Sequence, residues 1–208
     1  MTSQSHGCKK MMVTSFNINA GKTFVIMNIA ATMALRGAKV LIVDLDLRKG
    51  TLGIELNMNR TGVSAYLNGK ISDPVPAIQN LRENLDVLTV GSLPPNPAEL
   101  LDSERFPGMM DILAEHYDYV FMDCPPIDIV ADSSIIAKSA DYTIFVMRAG
   151  LFDKRGLPFL NDLYASKVYS NMSLVLNGVD LTARKYGNYS RYGYGYGYGN
   201  TDSGSVNS

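Results

Sequence analysis

The chain has 208 residues, enough for one sizeable core, and an ordinary globular composition: 46% hydrophobic, 19% charged, net charge −1. That near-neutral balance excludes a dedicated nucleic-acid binder, which would carry a basic excess. Neither Cys8 nor Cys124 has metal-ligand spacing, so free thiols in a reducing cytoplasm are expected, with Cys124 buried at an apolar strand end. No run of about 18 apolar residues is present to span a bilayer. Met1–Lys10 lacks an apolar signal core and reads as a disordered leader, residues 1–10.

Apolar, β-rich runs alternate with helix-period segments, the pattern of a mostly parallel sheet covered by helices on both faces. Met11–Ser15 predicts a first strand, followed by a loop and a helix over Thr23–Arg36 that Gly37 ends as a left-handed cap. Val40–Val43 predicts a buried strand ending at Asp44, and Leu85–Val90 another, closed by Gly91 and Pro94-Pro95-Asn96-Pro97. Ser103 is placed to cap a helix reaching about His116, with Pro107 tolerated in its first turns. Strands follow at Tyr119–Met122, Tyr142–Met147 and Leu174–Leu176, with a helix over Asp153–Tyr169 before the last. The expected division is a core domain over 11–180 and a flexible Tyr/Gly-rich tail over 181–208. From Leu181 onward apolar residues other than tyrosine nearly vanish, leaving nothing to build a core.

Chemistry concentrates at the ends of these strands. Gly21-Lys22-Thr23 opens a helix directly after an apolar strand. A loop running into a helix N-terminus offers converging N–H donors and a favourable dipole to phosphates. In the G-x-x-x-x-G-K-[ST] pattern the lysine reaches the β- and γ-phosphates and the hydroxyl holds Mg²⁺. The pattern's first glycine is replaced by Phe16, and Asn19 and Ala20 precede Gly21. Asp44 and Asp46 end the second strand and Asp123 ends another, so three carboxylates gather at the sheet edge where ligands of open parallel sheets bind. Such carboxylates can hold hydrated Mg²⁺ or accept a proton from an incoming hydroxyl. At the far end, Tyr186, Tyr189, Tyr192, Tyr194, Tyr196 and Tyr198 form a ladder of phenolic hydroxyls spaced largely by glycine. A nucleotide site and a row of acceptors in one chain predict tyrosine autophosphorylation.

Taken together, these motifs resemble the catalytic domain of bacterial tyrosine kinases (BY-kinases) of the capsule and exopolysaccharide type. The resemblance spans nearly all of 9–198. It rests on the Walker A loop Ser15–Thr23, the run ending Asp44-x-Asp46-x-Arg48-Lys49-Gly50, the Walker B run ending Asp123, the stretch Pro94–Leu101 with Ser103, and the tyrosine cluster. It implies a P-loop NTPase fold, ATP and Mg²⁺ as cofactors, and transfer to tyrosine. Carried over by residue, Asn19, Ala20, Gly21, Lys22, Thr23, Phe24, Arg48 and Asn177 would bind nucleotide, with Asn177 meeting adenine or simply forming the turn before Gly178. Thr23, Asp46 and Asp123 would organise the metal. Asp44 would accept the tyrosine proton, although Asp44 and Asp46 could exchange roles.

The resemblance also implies a ring-shaped homo-oligomer in which a tail enters the neighbour's site, a transmembrane activator or polysaccharide co-polymerase partner, and a cognate phosphatase. The expected location is cytoplasmic, beside an inner membrane. A Glu-x-x-Arg-x-x-Arg assembly motif, expected before the first strand, does not occur in Met1–Lys10. The alternatives are a partitioning ATPase of the ParA/MinD type, whose signature lysine is missing from Asn17-Ile18-Asn19, and a nucleotide-dependent scaffold with an aromatic tail. His116, Lys154 and Arg155 read as solvated surface residues.

Overall fold

A computed structural model describes residues 7–56, 61–127 and 132–180. The six tail tyrosines lie outside these residues. Seven strands form one sheet: β1 (Lys9–Ser15), β2 (Val40–Asp44), β3 (Gln79–Arg82), β4 (Leu85–Leu88), β5 (Tyr119–Asp123), β6 (Tyr142–Arg148) and β7 (Met172–Asn177). Their spatial order is β3-β4-β2-β5-β1-β6-β7, and every pairing is parallel except the β3–β4 hairpin. The α/β, helix-covered P-loop architecture expected from the alternation is therefore the fold observed.

Seven helices connect the strands among the described residues: α1 (Lys22–Leu35), α2 (Thr51–Glu55), α3 (Val63–Leu67), α4 (Pro97–Leu101), α5 (Arg105–Ala114), α6 (Asp132–Ala137) and α7 (Leu157–Ser166). Alternation along each strand divides the core into two layers. On one face Val13, Ile42, Val87, Phe121 and Val146 pack against Ile26, Ala30 and Ala34 of α1. On the other, Met12, Leu41, Val43, Val120 and Met122 meet Phe106, Met109 and Leu113 of α5, with Leu101 and Ile136. Strands buried on both faces read as continuous apolar runs, which is why β2 and β5 were legible.

Several boundaries differ from the sequence-based expectation. Lys9 and Lys10 belong to β1 rather than to a disordered leader, because they pair with Tyr119 and Val120 of β5. The strand expected over Leu85–Val90 stops at Leu88: the carbonyls of Thr89 and Val90 accept from the Val63 and Ser64 amides at the start of α3. Ser103 does not cap α5; its hydroxyl donates to the Leu100 carbonyl at the end of α4, a helix that begins at Pro97 within the proline-rich stretch. The long helix expected from Asp153 is a 3₁₀ turn, Lys154–Gly156, followed by α7, which ends before Lys167 in a left-handed conformation. Gly37 does follow α1 as the left-handed residue, with its amide and that of Ala38 bonding back to Ala34 and Met33.

Candidate active site

The sheet brings the ends of β1, β2 and β5 level, with Val13 opposite Asp123 and Asp123 opposite Asp44. Above them opens a cleft of about 490 Å³. Asn19, Gly21, Lys22, Thr23 and Phe24 line one wall, and Asp44, Asp46, Lys49, Thr51 and Leu52 the other, with Asp123 and Pro126 between. Residues from three distant stretches of sequence thus converge on one space.

The phosphate loop is held by its neighbours rather than by its own turns. Asn177, ending β7, donates its amide to the Ala20 carbonyl at 3.0 Å, and Arg148, ending β6, donates to the Asn19 carbonyl at 3.1 Å. Asn19 and Gly21 both adopt positive φ, 59° and 88°. Asparagine tolerates that conformation, but at Gly21 a side chain is also excluded by space, since an added Cβ would lie 2.2 Å from the Asn177 amide nitrogen. Phe16, in place of the pattern's first glycine, has no positive φ; its ring packs edge-on against Phe152 and Phe159, with centroids 6.0 and 5.6 Å away. Ala20 is buried, so only its backbone serves the loop, and Phe24 stands exposed at the rim.

Lys22 and Thr23 begin α1 and point into the cleft. The Lys22 ammonium lies 3.4 Å from the Ser15 hydroxyl, and burial draws its pKa down against the opposing pull of Asp123 and Asp46. Thr23 donates its hydroxyl to Asp123 at 2.6 Å. Asp44 is almost fully buried; one carboxylate oxygen accepts the Asp46 amide at 3.1 Å, while the other has no hydrogen-bond partner among the described residues. Burial, then the carboxylate of Asp123 on the neighbouring strand, pushes Asp44 up to about 8. Among the described residues no three acidic, His or Cys side chains form a ready cation cage. A Mg²⁺ that keeps several waters and takes one or two carboxylates fits this donor set better than a fully protein-ligated ion would.

A family model described as an AAA domain matches residues 9–176. The tyrosine-protein kinase CpsD of Streptococcus pneumoniae serotype 4 is 36% identical over 181 residues, covering 86% of this chain and 80% of the relative. The tyrosine-protein kinase etk of Escherichia coli K12 is 35% identical over 81% of this chain, which spans only 23% of that longer protein. The chain belongs to the bacterial tyrosine-protein kinases. The solved kinase domain of E. coli etk superposes with a TM-score of 0.77 at 34% identity, covering 90% of this chain and 72% of that one. Family membership sets aside the partitioning-ATPase and scaffold alternatives.

Within this kinase the expected site residues separate into two groups. Asn19, Gly21, Lys22, Thr23, Phe24, Asp44, Asp46 and Asp123 line the one cleft. Arg48 does not: it reaches away to Asp132, with Nε and Nη2 donating at 3.0 and 3.2 Å, because that carboxylate is 3% exposed and requires a counter-charge. Asn177 holds the loop through the Ala20 carbonyl. Sequence reasoning missed Arg148, Lys49 and Thr51. Arg148 sits at a strand's carboxyl end, the position that exposed the aspartates, and the same rule applied to cations would have found it. Arg155 pairs with Asp153 on the surface, as a solvated residue should. Among the described residues no helix is long and apolar enough to cross a membrane.

Proposed function

We propose that the chain transfers the γ-phosphoryl group of MgATP to tyrosines of its own C-terminal segment, in trans between copies. The observation that carries this reading is the buried oxygen of Asp44, a residue that lines the cleft level with Asp123 on the neighbouring strand; it has no hydrogen-bond partner among the described residues. A buried polar atom left without a partner is costly and is kept where a ligand completes it.

In this reading the loop amides and Lys22 hold the phosphates, and Thr23, Asp46 and Asp123 hold Mg²⁺, directly or through water. The cation, when bound, neutralises phosphate charge and lowers the pKa of carboxyls around it. The bond between the γ-phosphorus and the ADP oxygen breaks, a new bond forms to the phenolic oxygen, and the phenol proton passes to Asp44. Little covalent chemistry is asked of the protein; positioning and charge stabilisation do most of it. The acceptors are Tyr186, Tyr189, Tyr192, Tyr194, Tyr196 and Tyr198, which the sequence gathers in one glycine-rich stretch. Full modification would add roughly −9 to −12 charges at about −1.5 to −2 each, enough to oppose re-docking beside aspartates. That repulsion supplies a route by which the product loosens assembly and so tunes polysaccharide export by an inner-membrane partner.

Intact-mass analysis after incubation with MgATP tests the reading, comparing wild type with Lys22→Met. Stepwise phosphoryl additions mapping to Tyr186–Tyr198 are expected, reduced by roughly 10²–10³-fold in the variant. Undiminished labelling of Lys22→Met, or none of the wild type at high protein concentration, overturns it.

A further inference from the structure

The two edges of the sheet are built differently. At one edge β3 is four residues long, polar (Gln-Asn-Leu-Arg), and irregular in register, the devices by which proteins blunt an edge against further pairing. At the other, β7 reads Met-Ser-Leu-Val-Leu-Asn, with no charge and no proline, and among the described residues it pairs only with β6. The Asn177 carbonyl accepts from the Ala149 amide on the β6 side. Backbone groups alternate sides along a strand, so Ser173 and Val175 also face β6, and Leu174 and Leu176 direct their N–H and C=O outward. The two residues are 51% and 49% exposed, and they lie on the face opposite Val175. An unguarded apolar edge of this kind is a template for another strand.

The sequence contains a segment suited to it. Tyr192-Gly193-Tyr194-Gly195-Tyr196-Gly197-Tyr198 alternates with period two, so an extended conformation puts four rings on one face and only glycine on the other. Seven residues span roughly 23 Å, matching the six of β7. Rings on that face would lie across Leu174 and Leu176, the kind of cross-strand contact that stabilises sheets. The chain leaves β7 at Asn177, and a tight two-residue hairpin there would pair about residues 180–185 with the six of the strand, using it up before Tyr192.

We infer that β7 is a docking edge for the tyrosine–glycine segment of a second copy, which adds to the sheet as an eighth strand. Because Asn177 touches the phosphate loop, the added strand would run beside the residue that holds that loop. Docking there holds the repeat at the edge and presents flanking tyrosines to the phosphates. The inference deepens the in-trans reading and rests on it for its purpose, but its test needs no phosphoryl transfer.

Hydrogen exchange of the full chain without nucleotide, over a range of protein concentrations, decides it. The Leu174 and Leu176 amides are expected to exchange about tenfold more slowly at high concentration than on dilution, as pairing removes them from water. A tail variant carrying Gly193→Pro and Tyr194→Pro deletes one N–H on each side of the added strand and should abolish that protection. Leu176→Pro deletes only an outward N–H and should release Leu174 likewise, leaving the β6 ladder intact. Exchange independent of concentration overturns the inference, whether fast (an uncovered edge) or slow (cover from the same chain). So does concentration-dependent protection that survives the tail prolines, which would mean that bodies rather than tails pair. Labelling by MgATP is read separately, so either idea can fail alone.

Discussion

The two walls of the cleft are built on opposite principles. The phosphate-loop wall is already braced: Asn177 and Arg148 hold its carbonyls, Gly21 fits against Asn177 with no space to spare, and Phe16 anchors its entry. The aspartate wall carries an unmet demand, a buried carboxyl with one bare oxygen beside a like charge. The difference teaches that pre-organisation and unfinished electrostatics can be divided between loops. One wall fixes where a phosphate goes, and the other makes its arrival with a cation favourable.

Breaking the finished wall should have the largest effect. Gly21→Ala places a Cβ where the Asn177 amide lies and holds alanine at positive φ, so nucleotide affinity should fall by roughly a hundredfold, about 2–3 kcal/mol. Asn177→Ala alone removes one hydrogen bond, about 1 kcal/mol. Combined, the two should be less harmful than their sum by about 1 kcal/mol, since the truncated asparagine vacates the colliding space. Strict additivity in calorimetric titration of nucleotide would show that the loop is not held by this contact.

Finishing the unfinished wall should have a smaller effect of opposite sign. Asp44 titrates near 8 when folded and from 3.8 when unfolded. Between those values the folded state retains a proton that the unfolded state has lost, so stability falls as pH rises through that window and is level above it. Asp44→Asn removes the slope and should stabilise the nucleotide-free protein at pH 8 by roughly 1–3 kcal/mol, while impairing phosphoryl transfer. Thermal melts of both proteins from pH 5 to 9 check this; parallel curves would refute the buried-charge account.

These walls were unequally legible in sequence. Asp44 and Asp123 announced themselves because each ends an apolar run, with Asp46 two residues beyond the first, and a parallel sheet delivers such ends to one edge. The same logic placed Lys22 and Thr23. What the sequence concealed depends on partners far along the chain: Arg48 looked free for nucleotide until Asp132, 84 residues away, claimed it. The hairpin strand β3 escaped because Gln-Asn-Leu-Arg has one apolar residue and exists by pairing with β4. The five-residue helices α2 and α3 are too short for periodicity to register, and α3 takes its start from carbonyls beyond β4.

Phe16 draws out a further consequence. A consensus engineer aligning this loop with its pattern would replace that residue by glycine and regard the change as a repair. Here the backbone needs no glycine's freedom at that point, and the ring wedges the loop's entry between Phe152 and Phe159. Restoring the motif would widen the loop's conformational repertoire and dissolve its anchor, giving a better match and a poorer site.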